Sequence, residues 1–226
     1  MEKENYPKGF VILCVFYAFF LIVSNILAGK AISFFGLDLI AAIIVFPIVY
    51  ILSDVMTEVY GIKKSIFAIR MNTACCVLFV LFTQLMLLIP HAEWWKGQEA
   101  YELVFGSAPR IFAASLASYY FGDWLNSALL SYLKRIQADK GFGYRAIMSS
   151  VFAHGIDSLL FYSIAFAGVF PADVLVGLGF TQWAFKLSYE IICLPLTTRV
   201  VNAWKRIEGI DVTDTGDLAI YNPFQR

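Results

Sequence analysis

Long apolar runs, broken at a few interior points by charge, set the pattern of this chain. Six of them predict helices at 10–28, 37–53, 65–89, 109–133, 145–170 and 172–201, the second continuing as far as Tyr60. A bilayer core is crossed by roughly 17–25 such residues. Barrel strands are excluded because these runs are too long and too continuously apolar for alternating segments of about 10 residues. A lone segment in lipid must also satisfy its own backbone, which a helix does. The expected fold is an all-α integral membrane protein, a bundle of six transmembrane helices. Residues 1–207 form the membrane domain, and 208–226 form a polar, irregular cytoplasmic tail. The first run exceeds a signal-peptide core and no A-x-A-like site follows it, so it is expected to be retained as a span.

The interruptions are more informative than the runs. In TQWAFKLSYEIICLP, Lys186 and Glu190 stand among apolar neighbours. At 1.5 Å per residue Lys186 lies about 21 Å along its helix from Ala172, near mid-membrane. A bare ammonium there costs between ~3 and ~10 kcal/mol, so it requires partners or water. Gln182, Lys186, Glu190, Cys193 and Thr197 share one stripe, which should face the protein interior. In SSVFAHGIDSLLF, Ser150, His154, Asp157 and Phe161 form a second stripe. Asp157 lies about 18 Å from the start of its helix and so reaches a similar depth. It is the first candidate counter-charge for Lys186. Two readings stand open, a fixed ion pair orienting two helices or a functional site, and intramembrane ionisable residues favour the second.

Further polar points are Asp54 and Glu58 on one face of the second helix, Glu58 serving equally well as a solvated helix end. In PRIFAASLASYYFGDWLN, Pro109 suits a first helical turn. Arg110 can snorkel to headgroups or point inward as a clamp. Ser115, Ser118, Gly122 and Asn126 make a small-residue stripe of the kind that lets membrane helices approach closely. Asp123 and Asn126 are polar enough to reach a cavity. The loop 90–108 with Trp94, Trp95 and Tyr101 reads as an interfacial aromatic anchor or as a lid.

Composition agrees with the pattern. Hydrophobic residues make up 60% and charged residues 15% of the 226, against about 25% charged in soluble domains. Zero net charge argues against a nucleic-acid partner, which would call for a basic patch. Of the 17 Lys and Arg, Lys30 and Lys96 fall on one side of the predicted membrane, and Arg110 and Lys186 are set aside as intramembrane. The remaining thirteen (17 − 4) fall on the other side, so both termini are expected to be cytoplasmic. The four cysteines (Cys14, Cys75, Cys76, Cys193) lie within apolar runs and read as small fillers. No phosphate-cradling loop, H-E-x-x-H or G-x-S-x-G is present, and no histidine metal site or other cofactor is expected.

Four segments in order, SDVMTEVYG (53–61), RIFAASLASYYFGDWLN (110–126), SSVFAHGIDSLLF (149–161) and FKLSYEIICLP (185–195), resemble the bacterial queuosine-precursor transporters of the vitamin-uptake-transporter family. The resemblance covers the second span to the sixth. It implies a six-helix importer in the bacterial cytoplasmic (inner) membrane, taking up 7-deazaguanine precursors of a modified tRNA base and performing no enzymatic step. It also implies that Asp54, Arg110, Asp157 and Lys186 are the family's intramembrane polar positions. His154 stands where other members carry an amide. The precursor is left open among the nitrile, the aminomethyl form and queuine.

The residues suit such a ligand. A deazaguanine is flat, with N–H donors beside a carbonyl, so a carboxylate and an ammonium complement its edge and Tyr162, Trp183 or Tyr189 can stack on it. The expected substrate-binding set is Asp54, Arg110, Asp157, Lys186, His154, Asn126, Glu190 and Trp183. The expected partners are a small deazapurine, the lipid bilayer, and either a second copy of the chain or an energising ATPase module. Two alternatives remain. One is a substrate-capture subunit served by a separate ATPase module, docked through the small residues Ala28 and Ala31. The other is a membrane enzyme using Asp54, Glu58, Asp157 or His154 as acid–base groups.

Overall fold

Seven helices and one short hairpin make up the chain in the computed structural model, which describes residues 6–27, 30–34, 37–106, 109–137, 141–169, 171–215 and 221–222. The helices are α1 (Lys8–Leu27), α2 (Ala42–Tyr60), α3 (Ile62–Leu88), α4 (Gln98–Phe105), α5 (Pro109–Ile136), α6 (Phe142–Phe166) and α7 (Ala172–Glu208). Each of the six predicted runs is thus helical over most of its length, and α4 is an additional short turn of helix in the 90–108 loop. Three of them, α1, α3 and α6, are long and apolar enough to cross a membrane by length and composition alone. α2, α5 and α7 bury Asp54, Glu58, Asp123, Lys134 and Glu190, while α6 remains apolar enough although it buries Arg145, His154 and Asp157.

One expectation fails outright. Residues 37–40 do not begin the second helix. They form a strand, β2 (Leu37–Ile40), paired antiparallel with β1 (Ala31–Phe34) in the register Ala31↔Ile40 to Phe34↔Leu37. Ala41 then donates its N–H to the Lys30 carbonyl at 2.8 Å, closing the hairpin. A short apolar run does not distinguish strand from helix by its periodicity, and pairing with the preceding segment decides it. Of the small residues considered for docking a second subunit, Ala28 lies outside the described residues and Ala31 is part of β1.

The packing is inverted relative to a soluble protein. Phe16, Phe19, Leu78, Leu81, Phe82 and Leu85 are exposed on α1 and α3, while Asp54, Glu58, Asp123, Asn126, Arg145, His154 and Asp157 are buried. An apolar belt of this extent marks a lipid-facing surface. Each long helix runs antiparallel to the long helix that precedes it in the chain, whereas α2 runs parallel to α5 and α7. Phe10 at the start of α1 meets Tyr60 at the end of α2, and Gly9 accepts no side chain because Glu208 at the end of α7 occupies its flank. Where α5 crosses α6, a Cβ on Gly122 would stand 2.7 Å from the Cβ of Asp157. Gly122 therefore serves close packing, while Ser115 and Ser118 of the same stripe face a cavity. Hydroxyls join three more helices: Thr57 donates to Ser65 at 2.8 Å or to Ser127 at 3.0 Å, linking α2, α3 and α5.

The described start of the polar tail, 209–215, is irregular in backbone but docked. Val212 donates its N–H to the Val59 carbonyl at 3.0 Å. Asp214 caps the start of α3, accepting from the Ile62 N–H at 2.9 Å. Gly61, at φ 82°, leaves no room for a side chain between α2 and this tail, since its Cβ would meet Asp214 and Val212 within 3 Å.

Candidate functional site

A cavity of about 350 Å³ lies in the half of the bundle nearest the hairpin, between α1, α2, α5, α6 and α7. Its aromatic walls are Phe46 and Tyr50 of α2, Phe161 and Tyr162 of α6, and Phe185 and Tyr189 of α7. Ser24, Asn25, Ser115, Ser118, Thr181 and Gln182 add hydroxyls and amides, and the charged groups are His154, Asp157, Lys186 and Glu190. A second, apolar hollow of about 250 Å³ among α1, α3, α4 and α5 is lined by no charged residue.

The two charges singled out by depth are brought together. Lys186 of α7 and Asp157 of α6 form a contact ion pair at the cavity wall, their side chains 14% and 4% exposed. Tyr50 donates its hydroxyl to the same carboxylate at 3.3 Å. The ammonium also lies 5.4 Å from the Phe46 ring centre and 5.9 Å from that of Tyr50, where the ring faces attract a cation. Antiparallel packing of α6 and α7 produces this meeting, and Gly122 lets α5 approach α6 closely behind Asp157.

A second polar chain begins one helical turn deeper. His154 Nε2 and Glu190 Oε2 are 2.8 Å apart. Ser150 donates to Glu190 Oε1 at 2.6 Å and stands 3.3 Å from Asn126 Oδ1. Asn126 in turn donates to Asp54 at 2.7 Å. Five side chains from α2, α5, α6 and α7 are thereby linked, with His154 and Glu190 lining the cavity and Asp54 and Asn126 buried beyond it. Nδ1 of His154, both carboxylate oxygens of Asp123 and Oε1 of Gln182 are buried with no hydrogen-bond partner.

Two expected site residues lie elsewhere. Arg110 is exposed and donates to the carbonyls of Ile164 and Ala167, both at 2.6 Å. It caps the carbonyl end of α6, where a guanidinium satisfies backbone oxygens that lack helical partners. Trp183 turns its indole N–H to the Val151 carbonyl at 2.9 Å and does not line the cavity. The other two proposed stacking residues, Tyr162 and Tyr189, do line it. Tyr50 and Phe46 were not anticipated, because nothing in an apolar helix distinguishes the aromatic that faces a ligand from one that faces lipid. The described part of the 90–108 loop packs on α3, Gln84 donating to the Phe105 carbonyl at 2.8 Å, and does not bound the cavity. Cys193 lines it as well.

Glu58 is no solvated helix end. Its side chain is 0% exposed and meets Arg145 of α6 at 2.6 Å, Lys205 of α7 at 2.7 Å and Lys134 of α5 at 3.7 Å. Lys134 continues to Asp211 of the tail at 2.5 Å, and Lys205 reaches the same carboxylate at 3.0 Å. Partial burial alone would raise the Asp211 carboxyl, but hydrogen bonds and charge from Lys134 and Lys205 outweigh it and hold the group below its ordinary value. This cluster closes the end of the bundle opposite the hairpin. Among the described residues, no group of three or more His, Cys, Asp or Glu side chains is placed to hold a metal ion.

A helical protein with an apolar outer belt and a polar, charge-bearing central cavity has the architecture of a membrane transport protein. Comparison with known families agrees: residues 40–200 match the family described as "Putative vitamin uptake transporter", and the chain belongs to it. A curated relative from Bacillus subtilis (strain 168), named "Probable queuosine precursor transporter", is 27% identical over 191 residues, covering 83% of each chain. No solved structure matches. Membership is in a transporter family, in line with the expectation of a carrier and not an enzyme.

Proposed function

We propose that this protein is a bacterial inner-membrane importer of 7-deazaguanine queuosine precursors. The observation that carries this is the aromatic-walled cavity with one ammonium–carboxylate pair in its wall. At about 350 Å³ it is near the small end of ligand pockets, roughly 300–1,000 Å³. That suits one fused heterocycle. The ring stacks among Tyr50, Phe46, Tyr162 and Tyr189, Asp157 accepts from its N–H edge, and Lys186 donates to its carbonyl. The unpartnered Oε1 of Gln182 supplies a further acceptor. Without ligand, Lys186 and Asp157 neutralise each other, and a bound base shares or replaces that pairing. Sites that pair each polar edge reject analogues lacking it by large factors. The relative's printed name supports the substrate class.

In this proposal α1, α2, α3, α5, α6 and α7 are the six spans, and the end holding Glu58, the tail and both termini is cytoplasmic. Its excess of Lys and Arg supports that orientation. The cavity then faces outward while the Glu58 cluster closes the inner side. Arg110 acts by holding the outer end of α6.

The test is thermal-shift binding with purified protein against 7-cyano-7-deazaguanine, 7-aminomethyl-7-deazaguanine, queuine and guanine. A specific ligand raises the melting temperature because it binds only the folded state. Lys186→Ala and Asp157→Asn are each expected to abolish the shift while the protein still folds. Normal binding by both variants overturns the site assignment. Uptake into liposomes without ATP separates an autonomous importer from a capture subunit.

A further inference from the structure

The charged groups around the cavity do not balance. Among the described residues, four carboxylates, Asp54, Asp123, Asp157 and Glu190, are buried in this half of the bundle. One ammonium, Lys186, is present, and it pairs with Asp157. No lysine or arginine ion-pairs with Asp54, Asp123 or Glu190 among the described residues, and the one ion-pairing partner of Glu190 is His154. The Nδ1 atom of His154 is buried without a partner. Protonating both ring nitrogens would therefore leave a buried N–H unsatisfied. Holding several uncompensated carboxylates ionised in a low-dielectric interior is costly even after relaxation. The inexpensive way to neutralise them is to bind protons.

Resting on the importer assignment above, we propose that uptake is coupled to protons and that the His154–Glu190 pair, facing the cavity, is the proton-carrying site. The hydrogen-bond chain shows how the proton is sensed. Ser150 has one hydrogen and two acceptors to choose from, Glu190 Oε1 at 2.6 Å and Asn126 Oδ1 at 3.3 Å. With Glu190 ionised, the serine hydrogen goes to Oε1. When a proton from cavity water bonds to a Glu190 oxygen, that carboxyl donates to Ser150, and the serine hydrogen turns to Asn126, which already holds Asp54 at 2.7 Å. One proton on α7 thus alters bonding on α6, α5 and α2, the helices that must move apart for the cavity to change sides. The same proton leaves Glu190 for cytoplasmic water once the site opens inward.

The other groups that can influence this pair are few. From α2 they are Tyr50, whose ring lies 4.4 Å from that of His154, and Asp54. From α5 there is Asp123, from α6 Asp157, and from α7 Lys186, Tyr189 and Cys193. A sodium site is the rival. Both Glu190 oxygens are already engaged by N–H or O–H partners, which suits a proton better than a cage of oxygen ligands.

The experiment uses full-length protein in liposomes with radiolabelled 7-cyano-7-deazaguanine and an internal pH dye. Exchange of internal for external substrate, with no gradient, is measured first, and its absence would sink the importer assignment and this proposal with it. Given exchange, an acid-outside step is expected to drive accumulation of about tenfold per pH unit for one proton per substrate, with interior acidification. A sodium gradient is expected to drive none. Accumulation with sodium alone, or none with the pH step, overturns proton coupling. Glu190→Gln is expected to lose the pH-driven accumulation and to flatten the pH profile of whatever exchange it retains. Persistence of both overturns the assignment to this residue. Should that variant fail to fold, Ser150→Ala, which keeps both carboxylates and the histidine, is expected to cut the accumulation ratio at least threefold, and an unchanged ratio overturns the relay.

Discussion

Two buried ionic clusters occupy opposite halves of the bundle, and they are built to opposite rules. At the tail end one carboxylate, Glu58, is surrounded by Arg145, Lys205 and Lys134, with Asp211 taking up surplus positive charge. Around the cavity the ratio is reversed, with carboxylates from four helices and a single ammonium among the described residues. The first cluster lines neither of the two hollows described above. It joins α2, α5, α6, α7 and the tail. The second borders empty volume and holds three carboxylates, Asp54, Asp123 and Glu190, with no lysine or arginine paired to them among the described residues. A cluster rich in cations around one carboxylate fixes one arrangement of helices, whereas one with excess carboxylates responds to what enters. In the proposed importer the same chemistry serves closure at one end and recognition at the other.

The largest effect should come from breaking the Glu58 cluster. Glu58→Ala removes the carboxylate shared by three cations, two of them largely buried, and leaves only Asp211 to Lys134 and Lys205. Removing one partner of a buried ion pair typically costs ~3–5 kcal/mol, so the melting temperature in detergent is expected to fall sharply, or the protein not to accumulate. A mild loss would show that the cations reach water, and that the cluster is no lock.

A smaller loss of stability, but a complete loss of binding, is expected at the cavity. Lys186→Met alone leaves Asp157 unpaired, and Asp157→Asn alone leaves Lys186 unpaired. The double variant removes both charges and should recover most of the stability lost by either, since replacing a whole buried pair is often near neutral. It should bind no deazaguanine. Melting curves with and without ligand test this, and binding by the double variant would show that the pair is only a helix fastener.

The smallest effect concerns the tail. Because the Asp211 carboxyl is held below its ordinary value of about 3.8, its contribution is present above that value and is lost as the pH falls through the lower folded value. Between about pH 5 and pH 8 the tail contact should not change. Asp211→Asn should cost less than ~1 kcal/mol, the side chain being half exposed and screened. A difference from the parent that varied between these pH values would show that the closing cluster also titrates.

Periodicity and depth alone located much of this. Lys186 and Asp157 were matched from their distances along two helices, and Glu190, His154 and Gln182 followed from sharing their stripes. Asp54 and Asn126 were named as polar points, but their place behind the wall, one step from the cavity, depends on how far apart α2, α5 and α6 stand. Glu58 was ambiguous because its three partners come from helices up to 147 positions away. Arg110 could snorkel, clamp a ligand or cap a helix, and the position of the α6 carbonyls chose the last.

The sequence by itself determined a helical, lipid-facing protein with a few interior charges, because apolar runs of that length and an ammonium at that depth permit little else. Tertiary structure decided which charges meet, which aromatics face the cavity, that residues 31–34 and 37–40 pair as strands, and that the described start of the tail folds back on the bundle. Those outcomes depend on contacts between distant segments, and a periodic pattern along one segment carries no information about its neighbour.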